Sequence, residues 1–117
     1  MKEFAAYVRK RREKLQEEDP RFSVRQVAAR IKVQPSYLSR VERNQQSPPS
    51  EAKIRALAAE LDEDPDVLLA LAGKISSDLK AIIVKRPELF ADLIRRLKNM
   101  PSKALDDLAR EVKDGKW

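Results

Sequence analysis

One apolar spacing recurs through this chain and decides its class: i, i+3, i+4, i+7, which sets four side chains on one face of a helix. It occurs as Val24, Val27, Ala28, Ile31 and again as Ile54, Leu57, Ala58, Leu61. It returns as Leu68, Leu71, Ala72, Ile75, as Phe90, Leu93, Ile94, Leu97 and as Leu105, Leu108, Ala109, Val112. A looser version (Phe4, Tyr7, Val8, Leu15) runs near the N-terminus, and Leu79, Ile82 and Ile83 mark one more short stretch. No segment sustains the period-2 alternation of a half-buried strand, and two glycines are too few for a turn-rich β fold. The expected class is all-α.

Start and stop signals agree with the periods. In "FSVRQV" Ser23 can accept from the backbone N–H of Gln26 while the Gln26 side chain reaches back, with Phe22 and Val27 placed as a hydrophobic staple. "DEDPDV" offers Asp64 as N-cap and Pro65 at the first helical position, and "SPPS" at 47–50 breaks the chain before Ser50 caps the next helix. Pro87 and Pro101 punctuate the last third, and Gly73 and Gly115 sit where helices end. These signals predict helices near 2–16, 23–31, 35–43, 50–61, 65–73, 77–85, 87–98 and 102–113. Five fall in an N-terminal domain, residues 1–74, and three in a C-terminal helical extension, residues 75–117.

Residue types narrow the chemistry. With neither Cys nor His there is no thiolate nucleophile, no imidazole base, and no nitrogen or sulfur ligand for zinc. The acidic "LDEDPD" at 61–66 lacks the glycine and terminal glutamate of a calcium loop and reads as helix capping. The expectation is a protein that is not an enzyme and has no cofactor or metal. No apolar run approaches the roughly 18 residues needed to cross a bilayer. The segment "MKEFAAYVRKRREK" lacks the uninterrupted apolar core of a signal peptide. A cysteine-free chain fits the cytoplasm.

Charge is unevenly placed. Residues 1–50 hold 12 Lys and Arg against 6 Asp and Glu, whereas residues 51–117 hold 13 of each, so the whole net +6 lies in the first half. A clustered basic excess is the footprint of a polyanion partner.

That half also contains "RIKVQPSYLSRVERN", where two helices are joined by about three residues. In the second of them Tyr37, Leu38 and Val41 share one side, with Val33 just ahead. Ser36, Ser39, Arg40 and Arg43 share the other, again at i, i+3, i+4, i+7. Small hydroxyls allow close approach to a major groove, and Arg pairs in bidentate fashion with guanine O6 and N7. Ala28 in the preceding helix is small enough for two helices to cross closely.

These residues, in "SVRQVAARIKVQPSYLSRVERN", "PPSEAKIRALAAEL" and "DPDVLLALAGK", resemble the lambda-repressor-like (Xre-type) helix-turn-helix family over roughly residues 4–73. The resemblance implies a dimeric, sequence-specific DNA-binding regulator whose third helix enters the major groove, and an Arg12–Glu42 pair that is structural. Two places where the family has glycine hold Lys32 in the turn and Asn44 in "VERN". A left-handed Lys32 would cost about 1–2 kcal/mol, which a domain stable by roughly 5–15 kcal/mol absorbs. The Gln that often follows the capping Ser is Val24 here, so its DNA contact does not carry over. The stretch between Arg12 and Ser23 is longer than is typical.

The reading therefore assigns base contacts to Ser36, Ser39 and Arg40, and phosphate contacts to Arg25, Gln34, Arg43 and Asn44. The C-terminal extension lies outside the family pattern, and the half without a charge excess is the better one to hold two copies together. Phe90, Leu93, Ile94, Leu97 and Trp117 are its candidate dimerisation residues, Trp117 being either an interface anchor or a staple folded onto its own domain. The expected function is a bacterial or phage-encoded, nucleoid-associated regulator: a repressor binding double-stranded DNA as a homodimer on a palindromic operator. An antitoxin-type module, whose C-terminal helices bind a protein partner while the helix pair represses its own operon, is the alternative.

Overall fold

The computed structural model describes residues 2–115. Eight α-helices follow one another: α1 (Lys2–Gln16), α2 (Val24–Arg30), α3 (Pro35–Glu42), α4 (Glu51–Glu60), α5 (Pro65–Leu71), α6 (Ser77–Lys85), α7 (Pro87–Lys98) and α8 (Ser102–Asp114). There is no strand among the described residues. A single 3-10 turn, Pro20–Phe22, fills the long stretch between α1 and α2, and its N-cap Asp19 accepts from the backbone N–H of Arg21. The chain divides into two compact units, Met1–Ser77 and Asp78–Trp117.

The first unit owns a core. Phe4 and Val8 from α1, Val27 and Ala28 from α2, Leu38 and Val41 from α3, Ile54, Leu57 and Ala58 from α4, and Leu68 and Leu69 from α5 are all buried in one cluster. The stripes read from sequence supply most of it, with two differences in α5. Leu69 is fully buried although it falls off the stripe, because this short helix packs against both α4 and α1. Ile75 is 44% exposed, because the helix has already ended at Leu71 and the chain no longer keeps its period.

Side-chain caps fix where α2, α4 and α5 begin. Ser23 accepts from the Gln26 backbone N–H, Ser50 from Lys53 and Asp64 from Asp66. The ends of α2 to α5 share one device. The residue two past the last helical one is left-handed: Lys32 (φ 60°), Asn44 (φ 57°), Asp62 (φ 54°) and Gly73 (φ 73°). Each pair of following N–H groups turns back onto the last turn, as in Asn44 N to Val41 O at 3.1 Å and Gln45 N to Arg40 O at 2.8 Å. This double bond satisfies carbonyls that a helix end would leave orphaned. Only one of the four positions holds glycine; Asn and Asp tolerate the conformation well, and Lys32 is the one with no such aptitude.

The second unit, α6 to α8, is built differently. None of its described residues is buried. Leu79, Ile82, Val84, Leu89, Leu93, Ile94, Leu108 and Val112 are all more than a third exposed. Leu93, Leu97, Leu105, Leu108, Ala109 and Val112 line an apolar groove of about 810 Å³ along α7 and α8. Trp117 lies outside the described residues.

Candidate nucleic-acid interface

The α2–α3 pair is positioned from both sides. Helix α3 is anchored by Leu38 and Val41, each 1% exposed, with Tyr37 and Val33 packed at the edge of the same cluster. Helix α2 crosses it through Val27 and Ala28, which have no exposed surface. A bulkier residue than Ala28 would force the two helices apart.

An ion pair ties α1 to α3. Arg12 donates from Nε to Glu42 Oε2 at 2.6 Å and from Nη2 to Glu42 Oε1 at 2.9 Å, a bidentate pair with side chains only 6% and 4% exposed. The remaining guanidinium nitrogen, Nη1, donates to the Phe22 carbonyl at 3.0 Å and to Gln16 Oε1 at 2.8 Å. A buried charge pair is tolerable when its geometry is bidentate and its remaining donors find partners, and here every guanidinium nitrogen has one. Glu42 is therefore structural, as the resemblance implied.

The turn itself has a brace that the sequence did not reveal. Lys53, on α4, sends its ammonium to the carbonyls of Ile31 at 2.9 Å and Lys32 at 3.3 Å. A cation at the C-terminus of α2 also opposes the negative end of that helix. The left-handed Lys32 is thus held by a residue 21 positions away rather than relieved by a glycine. No local signal could have shown this, since the contact exists only once α4 has packed on α2. A similar brace closes α4, where Arg11 Nε donates to the Leu61 carbonyl at 3.1 Å and pairs with Glu63 at 3.0 Å. The Tyr7 hydroxyl donates to the same carboxylate at 2.9 Å, and this bond to Glu63 holds the phenol pKa above its ordinary value.

Opposite the anchored side, α3 presents Ser36 and Arg40, both exposed, and Ser39, half-buried. Arg43, in the C-cap position, is exposed and lies back along the helix with Nε donating to the Ser39 carbonyl at 3.2 Å. Gln34 occupies the N-cap position, exposed and without a side-chain capping bond, and Arg25 is exposed in the first turn of α2. Asn44 is exposed in the left-handed position that follows α3. Among the described residues, no hydrogen bond or ion pair engages the side chain of Arg25 or Arg40, whereas Arg12, Arg21 and Arg30 are committed to carboxylates. Both of these guanidiniums, Arg25 and Arg40, are among those assigned to DNA.

A helix pair packed through Val27 and Ala28, its second helix tied to α1 by a bidentate salt bridge and bearing a basic and hydroxyl-rich outer face, defines a DNA-binding head. Residues 3–71 match the family model described as helix-turn-helix domain, which covers more than half of the chain, and the protein belongs to that family. Comparison with curated proteins gives no significant match, and comparison with solved structures gives none either. Among the described residues no helix is long and apolar enough to cross a membrane.

Proposed function

We propose that this protein is a sequence-specific transcriptional regulator of cytoplasmic DNA, a repressor that occupies a palindromic operator as a homodimer. The observation that carries it is the exposed, unpaired Arg40 beside Ser36 and Ser39 on a helix whose other side is fixed in the core. Arg40 reads a base and the two serines let the helix approach. Arg25, Gln34, Arg43 and Asn44 hold flanking phosphates, which position the head without specifying sequence.

One helix pair touches few base pairs, so two copies on half-sites about 34 Å apart supply the missing affinity. The apolar face of α7, with Leu93 and Ile94 exposed and Phe90 and Leu97 half-buried, is the surface assigned to the second copy; Trp117 keeps either of its two roles. The charge balance beyond residue 50 is not uniform. Residues 51–74 hold 3 basic against 6 acidic residues, and residues 75–117 hold 10 against 7. Like charge therefore opposes the contact between extensions, and the apolar face must outweigh it. Raising salt should tighten the dimer while weakening its grip on DNA. The same uncovered face supports a second reading, in which a protein partner docks there and the chain acts as an antitoxin-type autorepressor.

Selection of bound sites from a random duplex library tests the proposal. The expected product is a two-fold site, and a reporter placed behind it should be silenced by the protein. Arg40→Ala should cost about 1–3 kcal/mol on that site and relax preference at one base pair. Equal weakening on selected and scrambled duplexes would reassign Arg40 to phosphate. Truncation after Lys74 should leave a monomer in solution; a truncated dimer would rule out assembly through the extension.

A further inference from the structure

An open cleft of about 480 Å³ lies between α1 and the end of α3, and its charge is one-sided. Lys2, Arg9 and Lys10 rise from a single stripe of α1, spaced so that Ala5 and Ala6 form a low floor between them, and Arg43 closes the far wall. Two carboxylates also line it. Glu42 is consumed by Arg12 in the buried pair, which leaves Glu13 as the one remaining countercharge against four cations. Glu13 contacts Arg9 at 3.5 Å, with both side chains about half exposed, a geometry that holds little energy and exchanges readily.

We infer that this cleft is a seat for the phosphodiester backbone of the bound duplex, and that Lys2, Arg9 and Lys10 extend the DNA contact from α3 onto α1. The inference rests on the DNA-binding reading above. Three features argue for a polymer backbone rather than a small anion. First, the cleft is open, as a groove that admits a strand must be. Second, Arg43 belongs both to it and to the polar face of α3, so a strand flanking the reading helix runs into it without a break. Third, the α1 stripe from Lys2 to Lys10 spans roughly 12 Å at 1.5 Å per residue, long enough to follow more than one phosphate. The alanines matter as much as the cations, because longer side chains at 5 and 6 would fill the floor and hold the strand away. The seat carries no base information and adds affinity to every sequence alike.

The experiment measures affinity of the full-length protein for the selected duplex and for a scrambled duplex of equal length, over a range of salt. In the variant Lys2→Gln, Arg9→Gln, Lys10→Gln the slope of log affinity against log salt should fall by about 2–3. Affinity should drop by about 10–100-fold at physiological salt on both duplexes, with their ratio unchanged. Glu13→Gln, which removes the countercharge, should move both affinities the other way. An unchanged slope in the triple variant, or a loss confined to the selected duplex, overturns the seat while leaving DNA binding in place. An unchanged or lower affinity in Glu13→Gln also overturns it. A wild-type slope near zero on every duplex removes the DNA-binding reading, and the seat with it.

Discussion

The two units of this chain carry the same apolar code and do opposite things with it. In α2, α4 and α5 most of the i, i+3, i+4, i+7 stripe residues are buried to the last few per cent, with Val24 and Leu71 packed at the edge of the same core. In α7 and α8 stripes of the same form line a groove whose residues remain half open. Helical periodicity marks a face that needs a partner, and it is silent on whether the partner is in the same chain. The first unit brings five helices onto one cluster, so every stripe meets another. The second has three helices in about 40 residues, near the lower limit at which a chain covers a core of its own.

The contrast is broken most sharply at the buried ion pair. Glu42→Leu strands the Arg12 guanidinium in the core and should cost about 3–5 kcal/mol in urea unfolding. Arg12→Met combined with Glu42→Leu should recover most of that loss, since no orphaned charge remains. If the single variant is nearly neutral, the pair is not what joins α1 to α3. Next in size, Leu57→Ala should remove about 2–5 kcal/mol from the first unit. Leu93→Ala, an equal change of side chain, should leave the unfolding of that unit unaltered and shift self-association instead. Equal destabilisation by the two would erase the distinction between core and surface stripe.

Smaller effects sharpen the account of the turn. Lys32→Gly should stabilise by up to about 1 kcal/mol by relieving the left-handed backbone, part of it offset by the freer unfolded chain. Lys53→Met keeps the aliphatic stem but frees two carbonyls, and should cost about 1 kcal/mol. The cost should shrink in the Lys32→Gly background if bracing the strained turn is what Lys53 does. A double-mutant cycle by thermal unfolding reads the coupling. The least effect concerns pH. The Ser77 hydroxyl and backbone N–H and the Arg55 guanidinium hold the Glu51 carboxyl below its ordinary 4.5. Its contribution is present above that ordinary value and fades as pH falls through the lowered one. The difference in thermal midpoint between wild type and Glu51→Gln should therefore be largest near neutrality and vanish in acid.

Much of this was legible in the sequence because it is local. Caps at Ser23, Ser50 and Asp64 and the stripes they introduce gave helix positions to within a residue or two. The division of α3 into an anchored side and a polar side followed from a wheel. What escaped depends on distance along the chain. The contact of Lys53 with the turn, the hold of Arg11 on the end of α4 and the gathering of Lys2, Arg9 and Lys10 beside Arg43 are products of packing. The burial of Leu69 escaped for a related reason: a helix clasped on two sides has no single stripe. The same limit explains the extension, whose stripes announce a need without naming what fills it.

Helix α3 enters and leaves through left-handed elbows, Lys32 and Asn44, and is pinned between them by Leu38, Val41 and the Glu42 pair. Such a part behaves as a stamp rather than a finger: it has no play with which to follow an imperfect groove. Misfit must then be taken up by the duplex, whose willingness to bend or narrow depends on its own base steps. On the proposed two-fold operator, selectivity would thereby be written into base pairs that no side chain touches, above all those lying between the two half-sites.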